Sequence, residues 1–110
     1  MNNDALSNTF AALADPTRRG ILERLSRGDA TVSELAEPYE MSMAAISKHL
    51  KVLDNAGLIS RTKEAQWRYC RFQGAPLKGA NDWLSKYEKF WALQLYQLDE
   101  YLKTKDMEDG

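Results

Sequence analysis

The sequence is short of several things, and each shortage excludes something. Among 110 residues there is one cysteine, Cys70, and one histidine, His49. A lone cysteine forms no disulfide within its chain, so no disulfide framework is expected. One thiol and one imidazole do not supply, within a subunit, the three or four ligands that zinc takes, so no metal site is expected. No Gly-rich phosphate loop is present, and no Cys/His/Asp cluster stands at nucleophile spacing. Neither an enzyme activity, a catalytic residue nor a cofactor is therefore expected. No run of about 18 apolar residues occurs, which argues against a transmembrane helix and a membrane partner. The opening MNNDALSNTF has neither the basic stretch nor the apolar core of a signal peptide. With the single cysteine, that points to a reducing, cytoplasmic setting. Proline and glycine are also scarce, at 3 and 6 residues, and where they occur they punctuate helices.

What is present is enough for one modest core. The length fits a single domain, residues 1–110, and 44% of the residues are hydrophobic. A chain of this size often gains by burying surface against a partner. Net charge is only −1, but it is unevenly placed. Residues 1–41 carry a net −3 and residues 72–110 a net −2. Between them Lys48, Lys51, Arg61, Lys63, Arg68 and Arg71 face only Asp54 and Glu64, a net +4. A contiguous cationic block is the mark of an anion-facing surface.

Helix signals fill the first half. Leu6, Phe10 and Leu13 are spaced by four and three, which predicts a first helix over residues 3–13. Asp15 is a good N-cap for a second helix, with Pro16 at its first position and Gly28 ending it. Its apolar face is Ile21, Leu22 and Leu25. Thr31 followed by Glu34 is a capping box that opens a short third helix, which Pro38 stops. Ser42 caps a fourth helix and Gly57 stands just past its end. Within that helix Ile46, Leu50 and Leu53 share one face.

Residues 58–63 and 67–72 are rich in strand formers and alternate at period two, which predicts a hairpin around Glu64-Ala65-Gln66. A long last helix is then expected from Pro76 to about Lys103. Leu77, Ala80, Leu84, Tyr87, Trp91, Leu95, Leu98 and Leu102 follow steps of three and four along it. So little other mass cannot cover such a stripe, and a homodimer is the commonest solution. The fold expected is mainly α with a two-stranded β-hairpin. Residues 31–56 make a helix-turn-helix, residues 58–72 a wing, and the last helix, residues 76–103, the part that calls for a partner. One α-helix fits the major groove of B-DNA, with its N-terminal side chains on base edges. The cationic block covers the fourth helix and the wing.

The chain here resembles the arsenic-sensing repressor (ArsR) family of winged helix-turn-helix regulators. The residues that carry the resemblance are LADPTRR at 13–19, VSELA at 32–36, SMAAISKHLKVLDNAGLI at 42–59 and the wing strand WRYCRF. It spans residues from about 5 to 103. It implies a homodimer paired through the first and last helices, residues 1–14 and 76–103, and an inverted-repeat operator in double-stranded DNA, bound as a repressor. The metal sites of the family do not carry over. The cysteine pair of its third helix is replaced here by SELAEPY, and residues 73–110 hold no histidine. The resemblance is to a branch that senses no metal.

The expected DNA-binding residues are Ser42, Met43, Ala44, Ser47, Lys48, His49 and Lys51 on the fourth helix, and Arg61, Lys63, Gln66 and Arg68 on the wing. His49 is expected either to support a backbone contact or to pack the helix. The expected dimer interface is Leu6, Phe10, Leu77, Leu84, Tyr87, Trp91, Leu95, Leu98 and Leu102. Three alternatives stay open: a winged helix that binds protein instead of DNA, release by a small apolar effector held among Trp83, Tyr87, Phe90, Trp91 and Tyr96, and release by oxidation of Cys70.

Overall fold

The computed structural model describes residues 4–109, and side chains as far as Lys105. It forms two compact units, one ending at Ala80 and one beginning at Asn81. The expected helix start at residue 3 and the first three residues of the 1–14 segment lie outside the described residues.

In the first unit, helix starts are set by short polar side chains. Helix α1 (Ala5–Leu13) is capped by Asp4, whose carboxylate accepts from the Ser7 amide at 2.6 Å. Helix α2 (Pro16–Leu25) is capped by Asp15, which accepts from the Arg18 amide at 3.0 Å, with proline at the first helical position. That N–H holds the Asp15 carboxyl below its ordinary range. Two arginines then tie the helices together. Arg18 donates to the carbonyls of Ala12 at 2.7 Å and Ala11 at 3.0 Å, and Arg19 donates to Leu13 at 2.7 Å. The end of a helix leaves such carbonyls without helical partners.

Helix α3 (Val32–Ala36) carries the capping box. The Thr31 hydroxyl accepts from the Glu34 amide at 3.1 Å, and the Glu34 carboxylate accepts from the Thr31 amide at 3.0 Å. Helix α4 (Met43–Asn55) begins at Ser42, whose hydroxyl accepts from the Ala45 amide at 3.1 Å. It ends in a Schellman motif: Gly57, at φ 75°, donates to Asp54 at 2.9 Å, and Leu58 donates to Leu53 at 3.0 Å. Leu53 and Leu58 are both fully buried, which is the apolar contact that accompanies this motif.

The expected two-stranded hairpin is present, and a short third strand joins it. Strands β1 (Ala30–Thr31), β2 (Ile59–Glu64) and β3 (Trp67–Phe72) form one antiparallel sheet in the order β1-β3-β2. Ala30 pairs with Cys70 and Thr31 with Tyr69. Two residues are too few to show a period in the sequence. The hairpin turn is also tighter than expected, because Glu64 pairs with Trp67 and only Ala65 and Gln66 remain outside the strands. Ala65 takes φ 54°, the left-handed region that favours glycine.

The core lies between α2, α3, α4 and the sheet. Ile21, Leu22, Leu25, Leu35, Ile46, Leu50, Leu53, Leu58, Ile59 and Cys70 are buried together. The i, i+4, i+7 face read for α4 is fully buried at all three positions. Leu77 packs partly buried against this core.

The long last helix is also present, with one turn of different geometry inside it and an end at Asp109, past the expected Lys103. Helix α5 (Ala75–Leu84) is followed by one turn of 3-10 helix (Ser85–Tyr87), then α6 (Glu88–Asp109). The apolar repeat of three and four continues through the turn, which is why periodicity did not reveal the change. Within the second unit the Trp83 and Tyr87 rings stand 5.2 Å apart, tilted by 58°. Most large apolar side chains of α6 are exposed: Leu95 is 63% and Leu98 53% accessible.

Candidate nucleic-acid interface

Helix α4 has four sides, each with its own neighbours. At about 100° per residue, Ile46, Leu50 and Leu53 form the buried side. Met43, Ser47 and Asp54 form the flank toward the wing. Ala44, Lys48 and Lys51 point away from the core, and all three are exposed. Ala45 and His49 form the flank toward α2. Ser42, Met43 and Ala44 are all exposed at the start of the helix.

His49 stands apart from the other expected contacts. It is half-buried, and its Nδ1 lies 3.2 Å from Nη1 of Arg18 and 3.8 Å from the Asp15 carboxylate. A guanidinium only donates, so Nδ1 is the acceptor in the contact with Arg18. Arg18 thus reaches the end of α1 and the side of α4 at once. Of the two roles expected for His49, the structure displays helix packing.

The wing adds cations beside the exposed side of α4. In the hairpin register Lys63 lies directly opposite Arg68, and Arg61 opposite Cys70. Because Cys70 faces the core, period two puts Arg61, Lys63 and Arg68 on the same sheet face, beyond the edge of the core. Arg61 lies 3.7 Å from Asp54 on α4, which bridges wing and helix. Arg71 is on the other face and is held by Asp29 at 3.0 Å, which removes it from the anion-facing set. The side chains of Lys48, Lys51, Lys63 and Arg68 make no ion pair or hydrogen bond among the described residues. Gln66 sits in the exposed turn.

The wing and α4 enclose a groove of about 500 Å³. Thr31, Val32, Ser33 and Trp67 line it together with Met43 and Ser47. The sequence reading did not single out the residues from 31 to 33 or Trp67 as part of a site. The signal was present, since Trp67 is an aromatic next to the hairpin tip, but only the β1–β3 pairing brings residues 31–33 beside the wing.

The expected dimer residues divide by exposure. Leu6, Phe10, Leu77 and Leu84 are half-buried, while Tyr87, Trp91, Leu95, Leu98 and Leu102 are exposed. Burial pushes the Cys70 thiol up, which is opposite to the low-pKa, accessible thiolate of a redox sensor. Among the described residues, no group of three or more His, Cys, Asp and Glu is placed to hold a metal ion.

Residues 15–61 match the family model described as bacterial regulatory protein, arsR family. The transcriptional repressor SdpR of Bacillus subtilis is 37% identical over 79 residues, covering 72% of this chain and 88% of that protein. The chain belongs to the ArsR family. A solved ArsR family transcriptional regulator is 40% identical at a TM-score of 0.75, with 84% of this chain and 95% of that one covered. The homodimeric winged helix-turn-helix DNA-binding domain Mb0332 of Mycobacterium bovis is 26% identical, with a TM-score of 0.60 over 90% of this chain and 82% of that one. ArsR-type regulators are DNA-binding, non-enzymatic proteins, and this chain is a DNA-binding transcription regulator of that type. Among its described residues no helix is long and apolar enough to cross a membrane.

Proposed function

We propose that this ArsR-type regulator is a cytoplasmic homodimeric repressor. It binds an inverted-repeat operator through Ser42, Met43, Ala44, Ser47, Lys48 and Lys51 in the major groove. Arg61, Lys63, Gln66 and Arg68 of the wing meet phosphates or the minor groove, and no metal is sensed. His49 positions α4 in place of touching a base. The observation that carries this reading is the set of four cations without ion-pair partners, Lys48, Lys51, Lys63 and Arg68, on α4 and the adjoining wing. Unneutralised cations on a groove-sized helix attract phosphates, and counterion release supplies affinity. The exposed leucines of α6 support a second copy as the partner, as does the homodimeric Mb0332 domain. The chain's likeness to the transcriptional repressor SdpR supports repression.

A gel shift with the DNA upstream of its own gene, run at several salt concentrations, tests the reading. Expected is sequence-specific binding with a steep salt slope. Equal affinity for random DNA with a shallow slope would turn attention to a protein partner.

A further inference from the structure

We propose that the groove between α4 and the wing is also a binding site for a small amphipathic carboxylate, whose binding competes with DNA. The groove's volume of about 500 Å³ lies within the usual range of small-molecule sites, roughly 300–1,000 Å³. Its lining joins two kinds of chemistry. Lys63 and Arg68 are directly opposed across the hairpin and are both exposed. Like charges set opposite one another repel, and no described acidic group pairs with either. A carboxylate between them relieves that repulsion and gains charge-assisted hydrogen bonds from both. Arg61 is already engaged by Asp54, so Lys63 and Arg68 are the pair that holds the head group.

Beyond that pair the lining mixes the hydroxyls of Thr31, Ser33, Ser47 and Thr62 with apolar side chains that a sugar-phosphate backbone does not use. Val32 and Leu50 contribute to the wall. Met43 and Trp67 also line the groove and are each 51% exposed, large apolar side chains left open to water. An aryl or alkyl body covers them and gains by leaving water. A phosphodiester is anionic but has no such body. The two features together select an anion with an apolar body.

Occupation would consume two of the four cations without ion-pair partners and fill the wing-facing flank of α4. The carboxylate then acts as a releasing ligand, and by linkage DNA weakens its binding by the same factor. The release step rests on the DNA-binding reading; binding of the anion to the free protein does not.

The test uses the full chain and 1-naphthoate as the probe. Trp67, Trp83 and Trp91 give three indole N–H signals in an NMR spectrum, and Trp67→Phe assigns the first. Expected is a saturable shift of the Trp67 signal with 1-naphthoate at millimolar concentration, while Trp83 and Trp91 stay in place. Neutral 1-naphthalenemethanol (body without charge) and acetate (charge without body) should not reproduce it. The folded Lys63→Gln/Arg68→Gln variant should bind the probe about tenfold more weakly. No saturable shift, equal binding of the neutral analogue, or shifts confined to Trp83 and Trp91 each overturn the site. In a second arm, saturating 1-naphthoate should weaken binding to a labelled duplex about tenfold. Unchanged DNA affinity overturns the competition. If the probe binds at Trp67 and the chain binds no DNA, the site stands and the DNA-binding reading fails. DNA binding with no response of Trp67 has the opposite meaning.

Discussion

The two units use apolar side chains in opposite ways. Before Ala80, Ile46, Leu50, Leu53 and Leu58 have no accessible surface, and helix ends are closed by Asp4, Asp15, Thr31, Ser42 and Gly57. After Asn81, Phe90, Leu95, Tyr96 and Tyr101 are each more than 60% accessible. On the helical wheel Trp91, Leu95, Leu98 and Leu102 form one apolar side, and Phe90, Leu93 and Tyr101 form a second. A helix apolar on two sides gains little from water. The first unit therefore carries its own reason to fold, and the second draws its stability from whatever buries it.

The sharpest way to break this contrast is to remove core volume from the first unit. Leu50→Ala leaves a cavity beneath α4 and should lower stability by about 2–5 kcal/mol, read as a shifted midpoint in urea denaturation. A loss below about 1 kcal/mol would show that the groove above Leu50 collapses into the space. The matching change in the second unit is Leu95→Glu with Leu98→Glu. Both side chains are already exposed within one chain, so the unfolding of a monomer should hardly change. The dimer should instead dissociate at least tenfold more readily in sedimentation equilibrium. A dimer of unaltered strength would place the interface elsewhere.

Smaller effects sharpen the description of the first unit. Ala65→Gly relieves a left-handed residue in the wing turn and should raise stability by about 0.5–1 kcal/mol, seen as a higher Tm. No rise would mean the turn relaxes with alanine in place. Lys63→Ala should reduce the slope of log affinity against log salt by about one unit for every DNA sequence alike. A changed base preference would give Lys63 a reading role instead.

Acid should loosen the first unit through its caps. The Arg18 amide holds the Asp15 carboxyl low, and the Thr31 amide does the same for Glu34. A folded-state value below the unfolded one means that each carboxylate stabilises fully near neutral pH. That contribution is lost as pH falls through the ordinary carboxylate range, about 4, and then through the lower folded values. Asp15→Asn keeps a cap that does not titrate, so the fall of Tm below pH 4 should be shallower. An unchanged acid limb would show that other carboxyls dominate it.

Much of the first unit is legible residue by residue because its signals are local. Asp15-Pro16, Thr31 with Glu34, and Ser42 each act within one helical turn, and each caps the helix it announces. The buried side of α4 follows from spacing alone. The candidate site is partly legible for the same reason, since exposed cations at alternate strand positions and on a helix face are written in order. Arg71 belongs to the same cationic block, yet Asp29, which is 42 positions away, takes it out of the anion-facing set. Arg18 reaches His49 across 31 positions, and no local pattern announces that pair.

The sequence by itself determined the helix starts at Asp15, Thr31 and Ser42, the core side of α4, the wing and the family. Those features depend on short-range periodicity and on side chains that satisfy nearby backbone groups. Tertiary structure alone decided that Ala30-Thr31 joins the sheet, that Lys63 faces Arg68 beside Met43, and that His49 is held by Arg18. It also decided that the last apolar repeat is divided by a 3-10 turn. In the first and third cases the deciding contact is made by segments distant in the chain, and in the second the hairpin register pairs the cations while α4 brings Met43 to the same groove. In the fourth, the same three-and-four spacing satisfies both helical geometries.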